Sequence, residues 1–178
     1  MVNYNLIVAH DSELGIGIDN TIPWNSPIDM QWFRKITTGY SCIMGSNTYR
    51  SIMEIRGSDK VKKSGLLPNR KCYVLSNKLS DVFGCDGIFN SIDAARSFFK
   101  DTSEEVFIIG GSQVYQAFLP YIDNIFVSQI ETKYTCDAFF QYPNMENFVE
   151  VFSDSVYDET AHTLITFKIL STVFKQGE

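Results

Sequence analysis

Residues 22–33, IPWNSPIDMQWF, place a single carboxylate, Asp29, among apolar side chains that include both tryptophans of the chain. A carboxylate in an apolar slot can bind the donor-rich edge of a ligand through two hydrogen bonds. Burial would raise the pKa of such an acid, and hydrogen bonds to it would oppose that rise. A structural role is the alternative, because Ser26 and Pro27 give a capping-box-like helix start with an acid in the first turn. Spacing alone leaves both interpretations open.

Two strand–glycine–helix turns have the composition of phosphate sites. In CIMGSNTYRS (42–51) and FIIGGSQVYQAF (107–118), an apolar run ends at glycine and a helical pattern follows. Glycine lets the backbone approach a ligand closely, and a helix N-terminus offers free N–H groups. Two such turns at one edge of a parallel sheet would suit the two phosphates of a dinucleotide. Neither matches G-x-G-x-x-G, and each alone could equally be an ordinary turn.

The elements that would position these residues follow from hydrophobic periodicity. Apolar or alternating runs predict strands at 5–10, 41–45, 72–76, 106–111, 124–134 and 162–174. Between them, helices are predicted at 26–37, from 47, at 91–100 and from 112 to 120, with Ser26 and Ser91 as N-caps and Gly39 as a stop. This alternation favours an α/β fold with a mostly parallel sheet. The last two strands have no helical pattern between them, which predicts an antiparallel edge.

Segment 53–66 interrupts the alternation. It is polar and contains two glycines and four basic residues, Arg56, Lys60, Lys62 and Lys63. These features predict an exposed loop insertion, for which a solvated surface segment is the simplest interpretation. Its lysines could also attract an anionic substrate tail.

Composition excludes several classes of protein. The 178 residues, 44% hydrophobic, suit one globular domain, and the net charge of -6 disfavours nucleic-acid binding. The four cysteines are dispersed without a CxxC pair, so neither a zinc site nor any other metal site is expected. We find no signal peptide and no membrane-spanning run, which predicts a reduced, cytoplasmic protein that does not bind membranes.

Motifs in a consistent order extend along most of the chain: GIGIDNTIPW (15–24), the helix with Asp29, T-x-G-x-x-x-I-M-G (37–45), TYRSI (48–52), LPNR (67–70), IIGGSQVY (108–115) and DAFF (137–140). In these motifs the chain resembles dihydrofolate reductase. The resemblance implies one α/β domain over 1–178, with a central, twisted, mostly parallel sheet of about eight strands, an antiparallel C-terminal edge and about four flanking helices. It also implies an oxidoreductase that reduces 7,8-dihydrofolate to 5,6,7,8-tetrahydrofolate with NADPH, supporting one-carbon metabolism and thymidylate synthesis.

The resemblance assigns substrate and catalytic roles residue by residue. Asp29 corresponds to the pocket acid that holds the pterin, and Ser128 to its hydroxyl partner. Trp24 corresponds to a tryptophan that orders an active-site water, and Ile22 to the mobile loop over the nicotinamide. The remaining substrate contacts are three apolar walls, an arginine that clamps the glutamate carboxylate, and a ring beside the nicotinamide: Met30, Phe33, Ile52, Arg70 and Tyr115. By themselves, Arg70 could equally be a surface residue and Thr48 a helix cap.

Apart from Ile16, the cofactor contacts implied by the resemblance lie in the two glycine turns and the segment that begins at the end of the third predicted strand. They are Ile16, Gly45, Ser46, Asn47, Thr48, Ser76, Asn77, Lys78, Ile109, Gly110, Gly111, Ser112, Gln113, Val114 and Tyr115. The family has a cis peptide at this Gly-Gly pair. Hydride passes to C6 of the pterin while N5 gains a proton, and the protein orients the reactants and excludes water.

The sequence departs from the family pattern at the cofactor's 2′-phosphate. Ser46 and Gln113 occupy positions that often carry arginine, and Lys78 is the nearest cation in the sequence. Because the arginine fork is hard to replace, we expect weaker NADPH binding or relaxed discrimination against NADH. Asn69 replaces a family glycine, and asparagine tolerates a positive φ.

Two other functions remain open at this point. A related reductase of another pterin or of a riboflavin precursor shares the fold, but that group typically lacks the P-W-x-x-x-x-D pattern kept at Pro23, Trp24 and Asp29. A noncatalytic binding protein is the second, and the presence of both Asp29 and Arg70 argues against it. The expected ligands are dihydrofolate and antifolates, and a monomer is expected.

Overall fold

The computed structural model describes residues 1–174, in which strands alternate with helices. The strands are β1 (Asn3–His10), β2 (Gly15–Gly17), β3 (Ser41–Gly45), β4 (Lys71–Leu75), β5 (Gly87–Phe89), β6 (Glu105–Ile108), β7 (Asn124–Ile130), β8 (Ala138–Phe139), β9 (Phe148–Asp158) and β10 (Thr163–Thr172). The helices are α1 (Pro27–Thr37), α2 (Ser46–Arg56), α3 (Ser58–Ser64), α4 (Ile92–Phe99) and α5 (Ser112–Phe118). Short 3₁₀ turns cover Leu119–Tyr121 and Met145–Asn147.

Within the described residues, eight strands form one sheet in the order β5-β4-β3-β6-β1-β7-β10-β9. The strands from β5 to β7 in this order are parallel, whereas β10 runs antiparallel to both β7 and β9. The predicted α/β class, the mostly parallel sheet and its antiparallel C-terminal edge are therefore confirmed. Strand β9 was not predicted, because all but its first and last residues are exposed and no alternation of burial marks it.

Helix α1 begins and ends as its sequence predicts. Ser26 has an extended backbone, its hydroxyl accepts the Asp29 N–H at 3.0 Å, and Pro27 occupies the first helical position. At the other end the Thr38 N–H donates to the Arg34 carbonyl, and Gly39 follows with a φ of 90°. The cap fixes the first turn of the helix, and therefore the place of Asp29.

The predicted loop at 53–66 is wrong. Helix α2 continues to Arg56, and after Gly57 the chain forms α3, which ends at Gly65. One side chain, Val61, is 1% exposed and packs in the apolar cluster beneath the helix. A seven-residue helix with one buried residue leaves no periodic signal in the sequence. The described residues therefore contain five α-helices rather than about four.

Apolar side chains cover both faces of the sheet. In β1, Leu6 and Val8 belong to the cluster that includes residues of α4 and α5, while Ile7 belongs to the cluster beneath α1, α2 and α3. This packing leaves the carboxyl ends of neighbouring parallel strands together at one edge of the sheet. Among residues 1–174, no helix is long and apolar enough to cross a membrane.

Candidate active site

Asp29 is a buried acid, with 7% of its surface exposed. Its carboxylate accepts hydrogen bonds from the Ser128 hydroxyl and from Trp24 Nε1, the latter at 3.5 Å. Burial raises the pKa of Asp29, the bonds from Ser128 and Trp24 oppose the rise, and the negative charge of Asp158 adds to it. The two sequence interpretations are compatible, since the amide of Asp29 completes the helix cap while its carboxylate is available for a ligand.

The apolar residues predicted to line the slot differ in exposure. Phe33 of α1 and Ile52 of α2 are half-buried and border the same cluster, beside Ile7 of β1. Ile22 and Met30 are 53% and 50% exposed, so they present apolar surface that a ligand could cover. Apolar side chains are therefore contributed by α1, by α2 and by the loop that carries Ile22.

Tyr115 of α5 lies buried against the middle of β1. Its hydroxyl donates to the Ile7 carbonyl at 2.7 Å, and its ring packs edge-on against Phe140. Burial raises the pKa of Tyr115, and the charge of Asp29 raises it further. The phenol therefore stays neutral and fixed close to the pocket acid.

Arg70 is oriented by three contacts that involve no acid. Its Nε donates to the Pro68 carbonyl at 3.0 Å, its Nη1 donates to Thr37 Oγ1 at 3.1 Å, and its guanidinium lies 5.7 Å from the Phe33 ring centre. No ion pair among residues 1–174 includes Arg70. Asn69 precedes it with a φ of 59°, as expected for asparagine in a turn. The half-buried guanidinium is therefore fixed in place and can donate hydrogen bonds to the carboxylate of a ligand.

The two glycine turns lie side by side. The Gly45 N–H donates to the Gly110 carbonyl at 2.8 Å, which joins the end of β3 to the end of β6. A Cβ on Gly110, whose φ is 123°, would lie 3.4 Å from Thr48 Oγ1 and 3.3 Å from the Tyr115 hydroxyl. The Gly110–Gly111 peptide is cis. Neither α2 nor α5 has a side-chain cap at its N-terminal glycine. A side chain at Gly110 would therefore crowd Thr48 and Tyr115, and no side chain caps the N-terminus of α2 or of α5.

Comparison with known proteins decides the family. The family model for dihydrofolate reductase matches residues 3–172. The chain is 35% identical over 149 residues to the dihydrofolate reductase of Haemophilus influenzae, which covers 83% of this chain and 84% of the relative. It is 33% identical over 151 residues to that of Bacillus subtilis, covering 84% of this chain and 82% of the relative.

The chain belongs to the dihydrofolate reductase family.

The fold agrees with this assignment. The solved structure of dihydrofolate reductase from Enterococcus faecalis, complexed with NADP(H) and RAB-propyl, superposes with a TM-score of 0.83. It is 23% identical in sequence, and the match covers 97% of both chains. This match supports the fold, while the family rests on the sequence relatives.

In this member of the dihydrofolate reductase family, the region around Ser46 contains a cation that the sequence analysis did not consider. Ser46 is half-buried, and Asn47, Lys78 and Gln113 are exposed. Arg50 lies one helical turn beyond Ser46, and its Nη1 donates to Asn47 Oδ1 at 3.3 Å. Arg50 is thus a second cation near Ser46, in addition to the predicted Lys78, because its i+4 spacing places it on the same face of α2 as Ser46. The Ser76 hydroxyl accepts the amides of Lys78 and Leu79, each at 3.2 Å.

Hydrogen bonds join the loop that carries Ile22 to the segment around Asp137. Asp137 Oδ2 accepts the Asp19 N–H at 3.0 Å, and the Asp137 N–H donates to the Gly17 carbonyl at 2.9 Å. Asp11, which is 1% exposed, accepts the amides of Gly15 and Tyr134 at 2.8 Å each. Sequence reasoning did not assign the links made by Asp137 and Tyr134, because each of these joins segments more than a hundred residues apart. Ile16 is half-buried against the core beside the loop.

Proposed function

We propose that this chain catalyses the NADPH-dependent reduction of 7,8-dihydrofolate to 5,6,7,8-tetrahydrofolate. The observation that carries the proposal is a buried acid, Asp29, whose carboxylate is hydrogen-bonded to Ser128 and Trp24 beside an apolar wall. Membership in the dihydrofolate reductase family, shown by sequence over residues 3–172, supports the same reaction.

The substrate would be held at both ends. Asp29 accepts hydrogen bonds from the pterin's amino group and ring nitrogen, which a carboxylate can do with two oxygens. Met30, Phe33 and Ile52 cover the apolar faces of the substrate. Arg70 binds the glutamate carboxylate, and its fixed guanidinium suits this role because little rotational freedom remains to be lost.

The cofactor would lie along the glycine turns. NADPH, when bound, supplies the hydride that is transferred to C6 of the pterin. The backbone at Gly45 and Gly110, together with the Thr48 hydroxyl, would hold the cofactor's central part. Tyr115, held by the Ile7 carbonyl, would limit the position of the nicotinamide. Ile22, with its exposed side chain, excludes water from above the reacting atoms.

The chain's own residues prepare N5 for protonation. The ionised Asp29 raises the basicity of N5 electrostatically, and the proton reaches N5 through a water near Trp24 and Ile22. Direct transfer from Asp29 is disfavoured, because that carboxylate is occupied by the other edge of the pterin. Trp24 contributes by directing its indole N–H toward the same carboxylate.

The cofactor's 2′-phosphate would be bound less strongly here than by the arginines that often occupy these positions in the family. Ser46, Ser76, Asn77 and Gln113 offer hydroxyls and amides, and Lys78 is the proposed source of positive charge. An exposed lysine is a weaker phosphate partner than a bidentate arginine. We therefore expect the preference for NADPH over NADH to be reduced.

The deciding experiment measures cofactor oxidation with dihydrofolate, using NADPH and NADH in parallel. Substrate-dependent oxidation of NADPH supports the proposed reaction, and its absence with folded protein refutes it. A reductase of a riboflavin precursor would oxidise NADPH with that precursor and leave dihydrofolate unchanged.

We also propose that residues 1–178 act as a single, monomeric, cytoplasmic unit. All four cysteines, which lie within the described residues, are free thiols, as is usual in a reducing compartment. Light scattering after gel filtration would give the mass of one chain, and the mass of two or more would refute the monomer.

A further inference from the structure

The turn after β9 contacts the cap of α1. Asp158, the last residue of β9, is 1% exposed, and its Oδ2 accepts a hydrogen bond from the Ser26 hydroxyl at 2.5 Å. Its Oδ1 accepts the amides of Thr160 and Ala161 at 2.8 and 3.1 Å. One buried carboxylate therefore holds both its own turn and a residue 132 positions away.

Ser26 transmits this contact to the pocket acid. A serine hydroxyl has one proton to donate and two lone pairs that accept. Here the proton goes to Asp158, and a lone pair accepts the Asp29 N–H at 3.0 Å. Both roles of the hydroxyl are thereby assigned, and its orientation is fixed from two sides.

Asp158 is ionised at neutral pH. Burial opposes its ionisation, but the bonds from the Ser26 hydroxyl and the amides of Ala161, Thr160 and Ile28 outweigh this and lower the pKa of the carboxyl. A charged acceptor makes the bond from Ser26 stronger than a neutral one would.

We propose that Asp158 is a positioning residue for the pocket acid, a role that rests on the proposed function. Asp158 holds the Ser26 hydroxyl, and Ser26 holds the amide of Asp29. The turn between β9 and β10 thereby fixes where the Asp29 carboxylate lies and which charge it faces. Asp158 touches neither substrate nor cofactor in this scheme. It acts only through Ser26 and through its field.

The charged groups that face Asp29 determine how readily its carboxyl ionises. The titratable groups whose charge interacts with Asp29 are Asp158 and Tyr115, and Trp24 and Ser128 are neutral donors. The phenol of Tyr115 is neutral, so Asp158 supplies the negative charge that opposes ionisation of Asp29. Removing that charge should make the pocket carboxyl more acidic.

The first experiment follows the carboxyl of Asp29 directly, by carbon NMR titration of the ligand-free protein. Asp158→Asn keeps an oxygen for the amides of Thr160 and Ala161 but removes the charge, so the pKa of Asp29 should fall. The matched control, Asp154→Asn, removes an equal charge from the exposed part of β9 and should leave that pKa unchanged. Equal behaviour of the two variants would overturn the electrostatic coupling.

The second experiment tests positioning and does not depend on Asp158 variants folding. Ser26→Ala removes the link, whereas Ser26→Thr retains a hydroxyl at the same position. We expect kcat/KM for dihydrofolate to fall about tenfold or more in Ser26→Ala, through kcat, because small displacements at a reacting centre are costly. Ser26→Thr should recover most of the loss. A Ser26→Ala variant with wild-type kcat would overturn the positioning role.

The two measurements separate this proposal from the proposed function. If the wild-type chain does not reduce dihydrofolate, the proposed function fails, while the NMR titration still decides whether Asp158 and Asp29 are coupled. If the wild-type chain is active and neither Asp158→Asn nor Ser26→Ala differs from its control, only the positioning proposal fails.

Discussion

At the level of single residues, the catalytic role proposed for Asp29 and the effect of Asp29 on stability oppose each other. Its pKa in the folded chain is raised above the ordinary value of 3.8. The stabilisation from its protonated form is therefore complete below that value and is lost as the pH rises through the folded pKa. Above the folded pKa, the ionised side chain therefore destabilises the folded protein, although the same carboxylate is the group proposed to bind the pterin.

Asp29→Asn should therefore lower activity and raise stability together. We expect kcat to fall by about 100-fold or more at neutral pH, since the group supports proton transfer to the substrate. The Tm at neutral pH should rise, and the difference from the wild-type chain should shrink as the pH is lowered toward 3.8. Steady-state kinetics and thermal unfolding across pH would measure both. A wild-type kcat would contradict the catalytic role of Asp29. An unchanged Tm at neutral pH would contradict the claim that the buried carboxylate destabilises the folded chain.

Arg70 tests the other end of the substrate. Arg70→Lys keeps the positive charge but loses the fork that Thr37 and Pro68 hold in place. Hydrogen bonds to charged groups contribute about 1.5–3 kcal/mol, so KM for dihydrofolate should rise roughly 10- to 100-fold with little change in kcat. Arg34→Lys, at an exposed position of α1, is the control. A substrate without the glutamate should be insensitive to Arg70→Lys, and an equal rise in its KM would exclude carboxylate binding.

Lys78 tests the proposed charge at the cofactor's 2′-phosphate. Because Lys78 is exposed, its ion pair with a phosphate should contribute about 1 kcal/mol at most. Lys78→Ala should therefore raise the Kd of NADPH by up to about fivefold and leave that of NADH unchanged. Tryptophan fluorescence titration would measure both constants, with exposed Lys100→Ala as the control. A strong NADPH preference that survives Lys78→Ala would show that another group, such as Arg50, supplies the charge.

At the level of elements, the end of α3 lies beside Arg70, which is proposed to bind the substrate's glutamate tail. Ser64, at its end, lines a cavity of about 620 Å³ together with Arg70 and Lys71, and Lys60, Lys62 and Lys63 are exposed on the same helix. Replacing these three lysines by glutamine should raise KM more for polyglutamylated dihydrofolate than for the monoglutamate, and added salt should reduce the difference. The same change at Lys100 and Lys133, which are exposed and lie outside α3, should affect the two substrates equally. An equal effect on both substrates would contradict tail binding.

The elements also show what sequence patterns could and could not predict. Helix α1 was predictable because its cap, its proline and its terminal glycine are local signals. Helix α3 and strand β9 were not, since one has a single buried residue and the other is exposed along most of its length. In the candidate site, the residues in motifs were placed by resemblance, and Gly110 and Thr48 do lie together. The bond from Ser26 to Asp158 depends on how distant strands pack, which no local pattern records.

At the level of the whole molecule, the two proposed ligand sites share a sheet but use different segments. The pterin site depends on Asp29 of α1 and Ser128 of β7. The cofactor site depends on the turns after β3 and β6, which the bond from Gly45 to Gly110 joins. A ligand that binds only the folded chain stabilises it as a whole, so each site can be tested through global unfolding.

NADPH and dihydrofolate, added separately, should each raise the Tm of the wild-type chain. At about 100 times its Kd a ligand contributes about 2.7 kcal/mol, which for a chain of this size corresponds to roughly 5–10 °C. Asp29→Asn should lose the shift with dihydrofolate at the same concentration and keep the shift with NADPH, because the glycine turns do not involve Asp29. Differential scanning calorimetry would measure the four shifts. Loss of both shifts in Asp29→Asn would mean that the acid supports the fold of the cofactor site as well, and retention of both would mean that the pterin binds elsewhere.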